Sequence, residues 1–248
     1  MVNSQIQQYL KLIQFQGSLE PSIKLLGQLQ TRHLHIIPYE NLDVALKYGV
    51  SFAIPDLFQK IIIQHRGGNC FELNILFSWL LRELGFSVTN RYAQFWRNVE
   101  AGTPVEDVPM HQLLLVHFAG QSYISDVGVG AVAPCKPVPL IAGHQHREGN
   151  ELYKIERDET NGWMLYEQTK HDWRLLYSFF DDANDAKFAP RLSKQKNKIA
   201  MIRTPRGRHT MLNNEFRIYE GQSLTTYSTH NEKDWRQALH RFFHITLD

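Results

Sequence analysis

The sequence predicts an α+β fold in three parts: an N-terminal helical bundle, a central antiparallel β-barrel and a C-terminal α/β lid. Three observations carry this. Apolar residues recur at helical spacing through the first 86 residues, and from residue 87 the pattern turns to short β-branched and aromatic runs. A polar, charged stretch over 181–197 then precedes further strand-like runs and one amphipathic helix. The expected parts are 1–86, 87–190 and 191–248.

Residues 4–15 predict a first helix with Ile6, Tyr9, Leu10 and Ile13 on one face. A second follows Ser18, with Pro21 in its first turn and Ile23, Leu26 and Leu29 inward, and runs through His33 towards Pro38. A third begins near Pro55 and carries Leu57, Phe58, Ile61 and Ile62 up to the glycine pair Gly67-Gly68. That pair lets the backbone take a positive φ or lets another group come close. Asn69 opens the fourth helix, three residues ahead of Glu72, which is the spacing of a capping box. Its apolar stripe is Phe71, Ile75, Leu76, Trp79, Leu80 and Leu84, and Gly85 stops it. Cys70 falls in the first turn, where unpaired N–H groups and the helix dipole favour a thiolate. A small buried residue is the alternative reading of that cysteine.

The strands begin with 88–95 and 110–118, the second holding the buried run Leu113-Leu114-Leu115-Val116. Ala119-Gly120 turns the chain into Ser122-Tyr123-Ile124-Ser125-Asp126. A two- or four-residue loop pairs Phe118 with Gln121 or keeps the same register sum, so that His111 faces Gly128 and Asp126 is its diagonal neighbour. A three-residue loop without a bulge would put His111 and Asp126 on opposite faces. Residues 138–150 read as a loop, and its His144-Gln145-His146 with Glu148 has no distant partner that would make a metal site. Strands resume at 152–155, 163–167 and 175–180, a barrel or a sandwich by pattern, with the barrel adopted. After the linker over 181–197, Lys194-Gln195-Lys196-Asn197-Lys198 reads as a solvated loop or a contact for phosphates. Then 199–204 and 215–219 read as strands, and 234–243 as a helix with Trp235, Leu239 and Phe242 inward.

Composition excludes several classes. Of 248 residues 43% are hydrophobic and 21% charged, ordinary for a globular chain with a sizeable core. A net charge of +2 with mixed signs gives no basic stripe for nucleic acid. No apolar run approaches a membrane span, and the start lacks the cationic-then-apolar pattern of a secretory signal. The two cysteines, Cys70 and Cys135, have neither disulfide nor metal spacing. These features predict a cytoplasmic protein with reduced thiols, no metal and no membrane partner.

Cys70, His111 and Asp126 together suit one chemistry. An imidazole takes the thiol proton, and a carboxylate on the far ring nitrogen fixes the tautomer and steadies the charged ring. The thiolate can then accept an acyl group and pass it on. Cysteine proteases use the same trio, so the residues alone indicate acyl transfer through a covalent intermediate and leave the acceptor open.

Arg66-Gly67-Gly68-Asn69-Cys70-Phe71-Glu72-Leu73-Asn74 resembles the active-site signature of the arylamine N-acetyltransferases. Three more segments resemble that family in order: Ile37-Pro38-Tyr39-Glu40-Asn41-Leu42, His111 with Leu113-Leu114-Leu115-Val116, and Tyr123-Ile124-Ser125-Asp126-Val127-Gly128-Val129-Gly130. The resemblance implies a cysteine-protease-like Cys-His-Asp core formed by Cys70, His111 and Asp126. It implies acetyl-coenzyme A as co-substrate and an aromatic amine, hydroxylamine or hydrazine as acceptor, in a ping-pong reaction of xenobiotic metabolism. It places Tyr39, Phe71, Met110 and Val129 at the acceptor, and Asp107 and Val108 at the coenzyme. Glu40 and Arg66 would face each other beneath the nucleophile, supporting its loop. Tyr39 and Val129 stand where the family usually has phenylalanine. An amide synthase of a biosynthetic pathway and a papain- or transglutaminase-like thiol hydrolase are the alternative functions.

Overall fold

The structure is a computed structural model that describes residues 3–97, 99–100, 103, 110–181 and 196–247. Helix α1 (Ser4–Leu12) starts on Asn3, whose side chain accepts from the Gln5 amide at 3.0 Å. It stops short of the predicted residue 15 because Gln14 turns left-handed at φ 55° and Phe15 N–H returns to Leu10 O at 2.8 Å. Helix α2 (Ile23–Ile36) is capped by Ser22 and buries Leu25, Leu26, Leu29 and Leu34. A short strand β1 (Tyr39–Glu40) and a single turn α3 (Leu42–Ala45) follow. Helix α4 (Ile54–Leu57) carries Pro55 in its first turn and runs on as a π-helical stretch (Phe58–Ile63). Helix α5 (Cys70–Glu83) completes the helical part, whose common core is Tyr9, Leu26, Leu29, Ile61, Phe77 and Leu80.

Eight strands form the large antiparallel sheet: β2 (Ser87–Phe95), β3 (Met110–Phe118), β4 (Gln121–Ser125), β5 (Val138–Pro139), β6 (Gln145–Glu148), β7 (Glu151–Asp158), β8 (Gly162–Gln168) and β9 (Trp173–Phe179). Their order, β5-β4-β3-β2-β9-β8-β7-β6, makes a nearly closed barrel. One face of β3 fills its interior with Leu113 and Leu115, while Leu114 and Val116 pack against the helices. The segment 138–150 is not wholly a loop, since β5 pairs with β4 and β6 with β7. With two residues in β5 and four polar ones in β6, neither strand leaves a period-two apolar pattern in the sequence.

The second sheet, in the order β1-β10-β11-β12-β13, contains β10 (Ile199–Thr204), β11 (Gly207–Leu212), β12 (Glu215–Glu220) and β13 (Ser223–Ser228). Helix α6 (Glu232–Phe243) buries Trp235, Leu239 and Phe243 against it. At about 1.5–3 kcal/mol for each large apolar side chain, that face holds the helix in place. Phe243, and not the predicted Phe242, is fully enclosed; Phe242 is half-buried beside Phe216 and Tyr227. The edge strand β1 comes from the helical part, pairing Tyr39 with Met201 and Glu40 with Ala200. This joins the C-terminal sheet to the segment that leads to Cys70. The linker at 182–195 lies outside the described residues.

Candidate active site

The start of α5 is built by local chemistry. Asn69 Oδ1 accepts from the amides of Phe71 (3.0 Å) and Glu72 (3.2 Å), and Glu72 Oε2 accepts from the Asn69 amide at 2.9 Å. The capping box predicted by the spacing is complete. The glycine before it is there for close approach: a Cβ on Gly67 would collide with the Pro38 carbonyl oxygen.

Beside this turn lies a group of charges, Glu40 and Glu72 buried and Asp43, Lys60 and Arg66 partly so. Arg66 Nη2 lies 2.7 Å from Glu40 Oε1 and 2.7 Å from Asp43 Oδ1. Lys60 Nζ lies 2.7 Å from Asp43 Oδ2 and 2.7 Å from Glu72 Oε1. Burial disfavours the charge on Lys60, but Glu40, Glu72 and Asp43 outweigh it and raise the ammonium's pKa. For Glu72 the balance goes the other way, and burial raises its pKa in spite of Lys60. The ion group therefore clamps the capping residue Glu72 as well as Glu40. Lys60 and Asp43 were not singled out in the sequence, where nothing but their nearness to Arg66 in space would mark them.

On the sheet, Phe118 pairs with Gln121, so His111 and Asp126 share a face as the short-loop register requires. His111 Nε2 bonds Asp126 Oδ2 at 2.7 Å, with side-chain exposures of 3% and 2%. Asp126 Oδ1 accepts from the Gly128 amide at 2.8 Å and from Asn74 Nδ2 at 3.0 Å. Asn74 also donates to the Gln112 carbonyl at 2.5 Å and accepts from the Val127 amide at 3.1 Å, so one side chain ties α5 to both strands. It sits one helical turn after Cys70, and that i, i+4 spacing is the signal by which the sequence could have revealed it. A Cβ on Gly128 would lie 2.7 Å from the Cys70 Cα, so a glycine is required for β4 to bring Asp126 this close to α5.

Cys70 lies next to His111, close enough to favour the charged form of the ring. With Nε2 occupied by Asp126, Nδ1 is the nitrogen left for the sulfur. Burial alone would lower the His111 pKa; the charge and hydrogen bond of Asp126, then Cys70, reverse this and raise it to about 10. The ring stacks on Tyr177 with centroids 5.3 Å apart at 28°, and Phe95 lies at 5.8 Å.

The structure thus brings together Cys70, His111 and Asp126, and separately Glu40 and Arg66. Tyr39 flanks them: its phenol pKa is raised by burial, then by Cys70, Glu40 and Glu72. Phe71 turns into an aromatic group with Phe52 and Tyr92 and is 2% exposed. Met110 is half-buried at the start of β3. Val129 is 4% exposed and packs in the barrel cluster with Ala93 and Leu113. Asp107 and Val108 lie outside the described residues. His146 Nε2 bonds Glu148 Oε1 at 2.7 Å, and that carboxylate also accepts from the amides of Cys135 and Lys136. Among the described residues, no group of three or more His, Cys, Asp or Glu could hold a metal ion. No helix among them is long and apolar enough to cross a membrane.

A sequence profile for a family described as N-acetyltransferase matches residues 22–248. The arylamine N-acetyltransferase of Mycobacterium tuberculosis (strain ATCC 25618 / H37Rv) is 34% identical over 174 residues, 69% of this chain and 61% of the relative. The chain spans about three fifths of the length of the bacterial relatives it matches at this level. The solved arylamine-N-acetyltransferase from M. tuberculosis is 26% identical with a TM-score of 0.86, covering 96% of this chain and 92% of that one. A structure of the Mycobacterium marinum arylamine N-acetyltransferase in complex with CoA has a TM-score of 0.84 at 24% identity, covering 97% and 92%, a likeness of fold. With the profile running from the second helix to the last residue, this chain belongs to the arylamine N-acetyltransferase family.

Proposed function

We propose that this protein transfers an acetyl group from acetyl-coenzyme A to the nitrogen of an arylamine, arylhydroxylamine or arylhydrazine, through acetyl-Cys70 in a ping-pong sequence. The observation that carries the reading is the His111–Asp126 hydrogen bond with Cys70 beside the ring at the capped start of α5. Cys70 attacks the thioester carbonyl carbon as a thiolate, its proton resting on His111. The carbon–sulfur bond to coenzyme A breaks, and the departing thiolate takes the proton from His111. The acceptor nitrogen then attacks the acetyl-cysteine carbonyl and gives its proton to His111, and Cys70 is released. Asp126 holds the ring by Nε2 throughout and steadies its charge.

The residues present fit a thioester donor. Cys70 is partly exposed while His111 and Asp126 are enclosed, so the sulfur can be reached and the proton is shielded from bulk water. The named relatives and the CoA complex of the M. marinum protein support the choice of donor. Tyr39, Phe71, Met110 and Val129 are assigned to the acceptor, Asp107 and Val108 to the coenzyme. Glu40 and Arg66 support the cysteine turn.

Incubation with acetyl-coenzyme A and no amine tests this reading. One acetyl group is expected, located at Cys70 by peptide mass spectrometry and discharged by an aromatic amine. Acetylation confined to Cys135, or none, would overturn the mechanism.

A further inference from the structure

A cavity of about 720 Å³ opens between one face of α2 and the chain that follows Cys135, and no residue of the Cys70–His111–Asp126 group lines it. Five basic side chains do: Lys24, Arg32 and His35 from α2, Lys136 from the loop before β5, and His146 from β6. No acidic residue lines it among the described residues. Its apolar part comes from Ile23, Gly27 and Pro137, and helix and loop meet where a Cβ on Gly27 would lie 3.5 Å from Pro137 Cδ.

The walls are fixed to each other. Gln30 Nε2 donates to the Pro134 carbonyl at 3.0 Å, and Thr31 Oγ1 donates to the Cys135 carbonyl at 2.9 Å. The charges of Lys24, Arg32 and Lys136, in contrast, are left without a carboxylate among the described residues. Arg32 Nη1 donates to a backbone carbonyl, that of Gln14, at 2.6 Å. The carboxylate arriving from β6, Glu148, is committed to His146 and to the amides of Cys135 and Lys136. Glu151 is paired with Arg203 at 2.6 Å. Burial first, then the charges of Arg203 and Arg32, push the His35 pKa down.

A preformed cavity of this volume, positive at its rim with apolar ground beside it, suits a small molecule carrying an anionic group on an apolar body. We infer that this cavity binds such an amphipathic anion, a carboxylate or a phosphate ester. Lys24, Arg32 and Lys136 meet the charge, and Ile23 and Pro137 meet the body. The site goes beyond the proposed acetyl transfer, since none of the residues assigned to that reaction takes part.

Calorimetric titration of the whole protein with phenyl phosphate, benzoate and benzyl alcohol, at about 0.15 M salt, tests the inference. Saturable binding of at least one anion is expected, with the neutral alcohol much weaker; whichever anion binds more tightly identifies the head group. Cys70→Ala should bind the same anion unchanged. Reversing two exposed charges in Lys24→Glu/Lys136→Glu should raise Kd by about tenfold or more, because like charges would then face the ligand. The milder Lys136→Ala should raise it by a smaller factor, and serves if the double variant fails to fold. Absence of saturable anion binding, equal binding of benzyl alcohol, loss of binding in Cys70→Ala, or an unchanged Kd in the lysine variants would each overturn it.

Discussion

The two cysteines lie in opposite surroundings. Cys70 stands at a helix start, beside a histidine that Asp126 keeps charged. Cys135 stands in a loop whose amide is taken by the Glu148 carboxylate. Burial pushes the Cys135 thiol up; Arg203 opposes this, Glu148 and Glu151 add to it, and the thiol reaches about 11. Both residues are partly exposed, so access does not separate them. Their neighbours do: a proton acceptor and helix N–H groups at one site, carboxylates and a low dielectric at the other.

The sharpest way to break this contrast is to remove each thiol in turn. Cys70→Ala should abolish acyl transfer, and Cys135→Ala should leave kcat/KM within about twofold, as expected for a residue outside the reacting group. Steady-state assays of both variants decide it. Comparable losses would mean that Cys135 takes part. Next in size is the group behind the histidine. Asp126→Asn keeps the shape but offers His111 Nε2 a poorer partner and removes the charge that raises its pKa. A fall of about 10⁴-fold in kcat is the precedent for a serine triad, and a loss of several hundredfold or more is expected here. Near-normal turnover would leave Asp126 a purely structural residue.

How far these surroundings could be read from sequence differs between them. The Cys70 side was legible because its determinants are local or periodic: a glycine pair, the Asn69–Glu72 spacing, and a hairpin whose short loop fixes which face His111 and Asp126 share. The Glu40–Arg66 pair was expected through family likeness, and Lys60 and Asp43, which complete it, were not expected at all. They come from separate elements, and only tertiary packing brings them together. The same holds for Cys135. Nothing beside it in sequence indicates that Glu148 and Arg203 converge there, or that residues 145–148 form a strand at all. The half-buried strand β11 and the exposed strand β13 are not legible either, since neither buries a period-two apolar face.

Two enclosed histidines extend the contrast to pH. His33 bonds Tyr9 at 2.7 Å through Nδ1, and burial lowers its pKa to about 3. His111 is raised to about 10. The unfolded chain protonates His33 below about 6.5, so its contribution to stability is complete above that value and is lost as pH falls through about 3. The His111 contribution is complete below about 6.5 and is lost as pH rises through about 10. Denaturant unfolding across pH should therefore show an alkaline limb that Asp126→Asn flattens and an acid limb that His33→Gln flattens. Limbs unchanged in both variants would separate these histidines from stability.

The smallest expected effect concerns the stretch between the two regions, at Val129. The family usually places an aromatic ring there, and a valine removes a stacking face for a flat acceptor. Aromatic pairs add about 0.5–1.5 kcal/mol beyond area burial, so up to roughly tenfold in kcat/KM is at stake. Val129 is also 4% exposed and packed among Ala93 and Leu113, so a larger side chain must displace neighbours. Val129→Phe is therefore expected to cost about 1–3 kcal/mol of stability by overpacking. It should also favour small anilines over bulky amines, while single-turnover acetylation of Cys70 stays as it was. The comparison to make is the kcat/KM ratio of a small and a bulky amine in both proteins, alongside the acetylation rate and a denaturation midpoint. If stability falls and the ratio does not move, residue 129 belongs to the barrel core and not to the acceptor site. The proposed acceptor contacts would then be reduced to Tyr39, Phe71 and Met110.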